Sequence, residues 1–476
     1  MPSFANRLWA PAPSTLLRAC IAGALLLAAP VLAQEDRPAY VRALAAGYKA
    51  AFLCSNLFNG GLSVAQTEAD DLRGTYSSFN PLFRTLEADI DRAEGQVRVR
   101  YSDAMPPRIA QWRPILGCTN LPIGSAPEAA ARLPRILFQD EPDHRVNDTQ
   151  LWPQGDRNAL ARPRGDAAAL NRAVAAAFDR RTYGQGSETT AALVVQNGRI
   201  VAERYRPDFM MHNSQRTWSV AKSIAATVLG AAAQRGLIDL EAPAPVPEWR
   251  RPDDPRSAIT TDQLLRMASG LNSDHAGNRT DALYFGGMAF SDIAAGLPLV
   301  AAPGTVFRYA NNDTVAAVHG LQHRLGGGDA ALRFPFEALL WTIGMTRTVP
   351  ETDWQGSFIL SSQVWTTARD LARLGLLYLN DGVWQGERIL PAGWIDYVRR
   401  PGPAQPDGGY GYGAGWWMFP AAAGVPPDAF IARGNRGQYV VVIPSRKLVI
   451  VRRGFDGEGQ GFDPAPFTRD VLAALR

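Results

Sequence analysis

The sequence predicts an α+β fold: an antiparallel sheet built from both ends of a domain over residues 166–476, with a helical lobe inserted between and a small N-terminal lobe ahead of it. Two observations carry this expectation. Strand patterns open and close the region while helical patterns fill its middle, so the sheet must be assembled from distant segments. No G-x-G-x-x-G or G-x-x-x-x-G-K-[ST] follows a strand, which argues against Rossmann and P-loop folds.

Residues 1–33 read as an export signal, with Arg7, Arg18 and no acid, an apolar stretch from Ala19 to Ala29, and small residues around Val31-Leu32-Ala33. The stretch is short of the roughly 20 apolar residues a membrane span needs. The expected location is therefore periplasmic or secreted, with no stable membrane anchor after cleavage. Residues 34–165 form the N-terminal lobe, with a helix over Tyr40–Leu53 and a short alternating stretch, Val97–Tyr101. Cys54 and Cys118 lie here, and export makes a Cys54–Cys118 disulfide the expected state; its loop of about 65 residues is worth about 4 kcal/mol in the chain-entropy model. From residue 166 the spacing predicts a helix over Ala168–Phe178, then two strands over Ala191–Tyr205 joined by the hairpin signal Asn197-Gly198. Helices follow over Ser219–Gln234, Thr261–Met267, Asp313–Leu325 and Thr367–Leu379. Strands return at Trp416–Phe419, Gln438–Ile443 and Leu448–Arg453, and a helix over Pro466–Leu475 closes the chain.

Of 476 residues, 46% are hydrophobic and 20% charged, the balance of a globular protein. The net charge of +4 falls to +2 without residues 1–33, and no run of five or more basic residues occurs, so neither nucleic acid nor an anionic membrane is an expected partner. His319 and His323 are four apart on a predicted helix, but no acid lies between them and no H-E-x-x-H occurs, so no metal site is expected. No G-x-S-x-G elbow is present. Only Lys49, Lys222 and Lys447 among the 49 basic residues are lysine. A lysine can be desolvated into a base, whereas an arginine stays protonated.

Lys222 closes Ser219-Val220-Ala221-Lys222, an S-x-x-K at a predicted helix start. The spacing puts hydroxyl and amine on one face. Free N–H groups and the helix dipole there favour a developing negative charge. A serine needs such a base to become a nucleophile; the competing reading is an N-cap serine followed by an exposed lysine. Ninety residues on, Tyr309-Ala310-Asn311 offers a phenol to relay a proton and an amide to hold a carbonyl. Third, Ala432-Arg433-Gly434-Asn435-Arg436-Gly437-Gln438 leads into a strand, where glycines admit a substrate to the edge and a backbone N–H could supply half of an oxyanion hole. A plain hairpin loop is the alternative.

In this order the three elements resemble the serine β-lactamase and penicillin-binding-protein superfamily, and more narrowly its class C and esterase branch, which includes the 6-aminohexanoate-dimer hydrolases. The likeness extends to Ile259–Leu271, Pro298–Asn311, Ala368–Gly375 and Ile389-Leu390-Pro391, and covers about residues 166–476. It implies a β-lactamase/transpeptidase-like fold and a serine hydrolase that cleaves small amide or ester substrates through an acyl-enzyme, with no cofactor. The resemblance assigns Ser219 as nucleophile, Lys222 as its base, Tyr309 as proton relay and Asn311 as a substrate contact. The N–H groups of Ser219 and Asn435, beside Gly434, would form the oxyanion hole.

One departure bears on substrate. The third motif of the superfamily usually begins with Lys or His, and the lysine helps bind a substrate carboxylate; here the slot holds Ala432, with Arg433 and Arg436 as candidate replacements. This favours an esterase or linear-amide hydrolase over an efficient β-lactamase. Trp365, Trp384, Trp394, Trp416 and Trp417 either wall an acyl pocket or fill the core. The rival reading is a non-catalytic module that binds cell-wall peptide, or a penicillin-binding-type protein.

Overall fold

The N-terminal segment builds a sheet of its own. Strands β1 (Ala88–Asp91), β2 (Gln96–Val99), β3 (Arg108–Arg113) and β4 (Gly117–Asn120) form an antiparallel meander. In this computed structural model the described residues are 37–138, 141–142, 147–273 and 280–476; the expected export signal lies outside them. The preceding helix, Arg37–Phe58, is tied to β4 by the Cys54–Cys118 disulfide, with Cα atoms 6.1 Å apart. The meander has little sequence alternation because β3 is buried on both faces and carries two buried arginines. Arg108 donates to the carbonyls of Ala43 and Leu121, and Arg113 to that of Pro134, so each cation is capped by backbone oxygens.

The Asn197-Gly198 turn joins β5 (Thr189–Gln196) to β6 (Arg199–Tyr205), with both turn residues at positive φ as such a hairpin requires. A three-stranded sheet of short strands follows, made of β7 (Gln215–Arg216), β8 (Val349–Pro350) and β9 (Val364–Thr366) in the order β7-β9-β8. After a small hairpin, β10 (Val383–Trp384) and β11 (Glu387–Arg388), come β12 (Gly411–Tyr412), β13 (Trp417–Met418), β14 (Phe430–Gly434), β15 (Gln438–Ile443) and β16 (Leu448–Gly454). The last five combine with the first hairpin into one antiparallel sheet of order β12-β13-β14-β15-β16-β5-β6. Both chain ends therefore build the sheet, as the pattern predicts.

Alternation on β15 assigns its two faces. Val440 and Val442 join the core beneath the Val220–Gln234 and Ala368–Leu379 helices, while Val441 and Ile443 pack with Leu170, Val174 and Val471 of the Ala167–Ala176 and Pro464–Ala474 helices. Gly375 lets its helix lie on the sheet, since a Cβ there would stand 2.5 Å from Val449. Residues Ala39–Arg476 form one compact unit, so the N-terminal meander and the larger region share contacts throughout. No helix among the described residues is long and apolar enough to cross a membrane.

Candidate active site

Thr217-Trp218-Ser219 makes the turn from β7 into the Val220–Gln234 helix, and Trp218 sits at φ +49. A bulky residue in the left-handed region costs about 1–3 kcal/mol and persists only where its surroundings hold it. Here its ring lies 4.2 Å from the Arg216 guanidinium carbon and 5.9 Å from the Phe52 ring. The turn leaves Ser219 half-buried at the helix start, and its hydroxyl makes no N-cap hydrogen bond. That removes the capping reading of the S-x-x-K.

Lys222, one turn on, is 1% exposed. Its Nζ donates to Ser219 Oγ (3.1 Å), Asn311 Oδ1 (2.6 Å) and the Ser361 carbonyl (3.0 Å), and lies 4.8 Å from the Tyr309 ring centre. All three acceptors are uncharged. Burial, then the field of Arg216, pushes the Lys222 amine down to about 7, opposed by Asp313. Burial pushes the Tyr309 phenol up to about 12, opposed by the nearby Ser219 side chain and the field of Arg433. Asp313, two residues past Asn311 and accepting from Ser269 Oγ, is pushed up by burial to about 7.

The third segment is half strand and half turn. Phe430–Gly434 pairs with β15 down to Gly434↔Gln438, and Asn435-Arg436-Gly437 forms the hairpin loop, with Arg436 and Gly437 at positive φ. Gly434 is required by proximity: a Cβ there would stand 2.4 Å from the Thr217 carbonyl and 3.2 Å from Ser219 N. The strand end and the helix start thus meet where two N–H groups could address one oxygen.

Ser219, Tyr309, Asn311, Gly434 and Asn435 all line one cleft of about 620 Å³, with Lys222 directly behind. Ala432 is fully buried in the core opposite Val440 and offers nothing to it. Arg436 borders the cleft but is buried, its guanidinium spent on the carbonyls of Arg73, Phe455 and Asp456. Arg433 remains in the cleft wall, its guanidinium 4.0 Å from the Tyr410 ring centre and 5.6 Å from that of Trp417. Of the five tryptophans, Trp365, Trp384, Trp394 and Trp416 are core; Trp417 lines the cleft 5.2 Å from Tyr309.

His319 does have an acidic partner, Glu248 at 3.1 Å from another segment, and its second nitrogen meets Ser357. Asp148, Asp156 and His212 come together elsewhere, but Arg347 and Arg373 already neutralise the two carboxylates. Arg216, Ser361 and Tyr76 have no signal in the sequence; their places are set by tertiary packing.

Fold and site together define a serine hydrolase related to the β-lactamases. Residues 174–452 match the family described as Beta-lactamase, and the chain belongs to that family. It is 28% identical over 300 residues to the 6-aminohexanoate-dimer hydrolase of Paenarthrobacter ureafaciens, covering 56% of this chain and 72% of that one. A candidate 6-aminohexanoate-dimer hydrolase from Bacillus anthracis superposes with a TM-score of 0.51 at 25% identity, over 60% of this chain and 78% of the other. A family VIII carboxylesterase shares the fold, with a TM-score of 0.51 at 19% identity over 66% and 98%. Tyr76 and Ser77, which also line the cleft, reach it from outside the matched residues.

Proposed function

We propose that the protein hydrolyses small linear amides or esters through an acyl-enzyme on Ser219. The observation that carries this reading is the 3.1 Å contact between Lys222 Nζ and Ser219 Oγ, made by a buried amine with no carboxylate among its three acceptors. Neutral Lys222 takes the hydroxyl proton as Ser219 Oγ attacks the substrate carbonyl carbon. The N–H groups of Ser219 and Asn435 hold the oxyanion, each donor contributing about 3–4 kcal/mol in comparable sites. The intermediate collapses as the proton passes from Lys222 by way of Tyr309 to the leaving amine or alcohol. Water then attacks the ester carbonyl while one of its protons passes through Tyr309 to Lys222, and Lys222 returns that proton to Ser219 Oγ as the acid leaves, restoring free Ser219 and the neutral amine. Asn311 borders both the amine and the cleft, so it steadies Lys222 and contacts substrate.

The linear substrate class is supported by the loss of the motif's lysine to buried Ala432 and by likeness to a hydrolase named for the 6-aminohexanoate dimer. The Cys54–Cys118 bridge supports location in an oxidising compartment. A screen of p-nitrophenyl esters, nitrocefin and aminohexanoate oligomers tests the substrate class. Turnover of the first or third with little of nitrocefin is expected, and the opposite ranking overturns it.

A further inference from the structure

We infer that Arg216 is a positioning residue for the reaction proposed above: its buried guanidinium braces the Trp218–Ser219 turn and disfavours a second positive charge on Lys222. The inference rests on the Ser219–Lys222 reading and extends it to a residue that touches no substrate.

Arg216 is 2% exposed and lies three residues before Ser219, on β7. Its guanidinium carbon stands 4.2 Å from the Trp218 ring centre, 4.9 Å from that of Phe52 and 5.6 Å from that of Tyr284. Nη2 donates to Ser362 Oγ at 2.8 Å. The neighbouring residue, Ser361, accepts from Lys222 at its carbonyl, and its hydroxyl shares a hydrogen bond with that of Tyr284. Two cations are thus fastened to consecutive residues of one segment. Phe52 comes from the Arg37–Phe58 helix, two residues before Cys54, so the region outside the family match supplies part of the aromatic floor.

The carboxylates that feel Arg216 are engaged elsewhere. Asp71 accepts from Asn56 and faces Arg436, while Glu351 accepts from Ser55, Asn59 and the Cys118 N–H. Burial pushes Asp71 up to about 6 and Glu351 up to about 7, which weakens both as counter-charges. Near Lys222, Asp313 acts in the opposite sense to Arg216, while burial raises the Tyr309 and Tyr284 phenols and holds both neutral. A buried cation stacked on rings and not neutralised by its own carboxylate keeps its field for its neighbour.

The test is the rate at which a fluorophosphonate labels Ser219, followed from about pH 5 to about pH 9. It compares the native protein with Arg216→Met, Arg216→Gln and Lys222→Ala. Removing the charge should move the acidic limb upward by about one pH unit, in addition to any fall in the plateau. A limb that stays in place in the folded variants overturns the inference, because a merely structural residue lowers the plateau alone. If neither variant unfolds cooperatively, Ser362→Ala takes their place: it removes the Nη2 bond and leaves the longer Nε bond to the Ser362 carbonyl, so a smaller upward move is expected and an unmoved limb contradicts the inference. Labelling in Lys222→Ala as fast as in the native protein removes the reading beneath. A limb lost there yet unmoved in the Arg216 variants overturns this inference alone.

Discussion

Lys222 Nζ stands 3.1 Å from Ser219 Oγ and 2.6 Å from Asn311 Oδ1, so one buried amine joins the first two motifs of the sequence. The proposed reaction needs a cation there that can give up its proton. Lys222→Arg keeps the charge and cannot supply a neutral base. Ester turnover should fall about 10³-fold, within the range for lost acid–base catalysis, while the disulfide and cooperative unfolding are retained. Activity within a few-fold of native would take Lys222 out of the mechanism.

The rate should follow the neutral amine. Lys222 lies at about 7 in the fold, below its ordinary value, so it is protonated and inert as a base at lower pH. The rate of acylation should therefore drop about tenfold per pH unit below about pH 7 and level off above it. Asp313 changes charge in the same window, so the limb belongs to the pair. Tyr309, at about 12, stays neutral throughout. A pH–rate profile flat from pH 5 upward contradicts this.

Gly434→Ala should leave folding intact and damage catalysis. The added Cβ would press on the Thr217 carbonyl and force the strand end away from Ser219 N. Loss of a well-placed oxyanion donor lowers kcat about 10²–10³-fold. Steady-state kinetics with KM little changed is the expected signature.

Arg433→Gln removes the cation that faces the cleft beside Trp417. KM for substrates bearing a carboxylate should rise about tenfold, the scale of one charge-assisted hydrogen bond, with neutral p-nitrophenyl esters little affected. Equal losses for both would mean that Arg433 serves packing on Tyr410.

Replacing Cys54 and Cys118 by serine should lower the unfolding free energy by about 4 kcal/mol in the chain-entropy model, measured by urea denaturation. A change under about 1 kcal/mol would show that the surrounding contacts already fix this region.

The hairpin at Asn197-Gly198 and the strand Gln438–Ile443 were legible because local chemistry and tertiary fate agree there. The Ser-x-x-Lys was legible because helix spacing alone brings the two groups together. The N-terminal meander was hidden by Arg108 and Arg113, which read as surface residues but are buried against carbonyls. Trp416 and Trp417 are adjacent in sequence, yet one is core and the other lines the cleft, a difference set by where each packs rather than by residue type. Arg433 and Arg436 were equivalent as letters; the hairpin turn buries the second and leaves the first in the cleft wall. Arg216 was invisible because its role arises from Phe52 and Tyr284, far away in the chain.

In the proposed reaction Ser219 carries the acyl group. Intact-mass analysis and peptide mapping after a fluorophosphonate or a slowly released ester test it directly. One adduct is expected, on the peptide containing Ser219 and absent from Ser219→Ala; an adduct on another residue, or one that persists in that variant, would overturn the assignment.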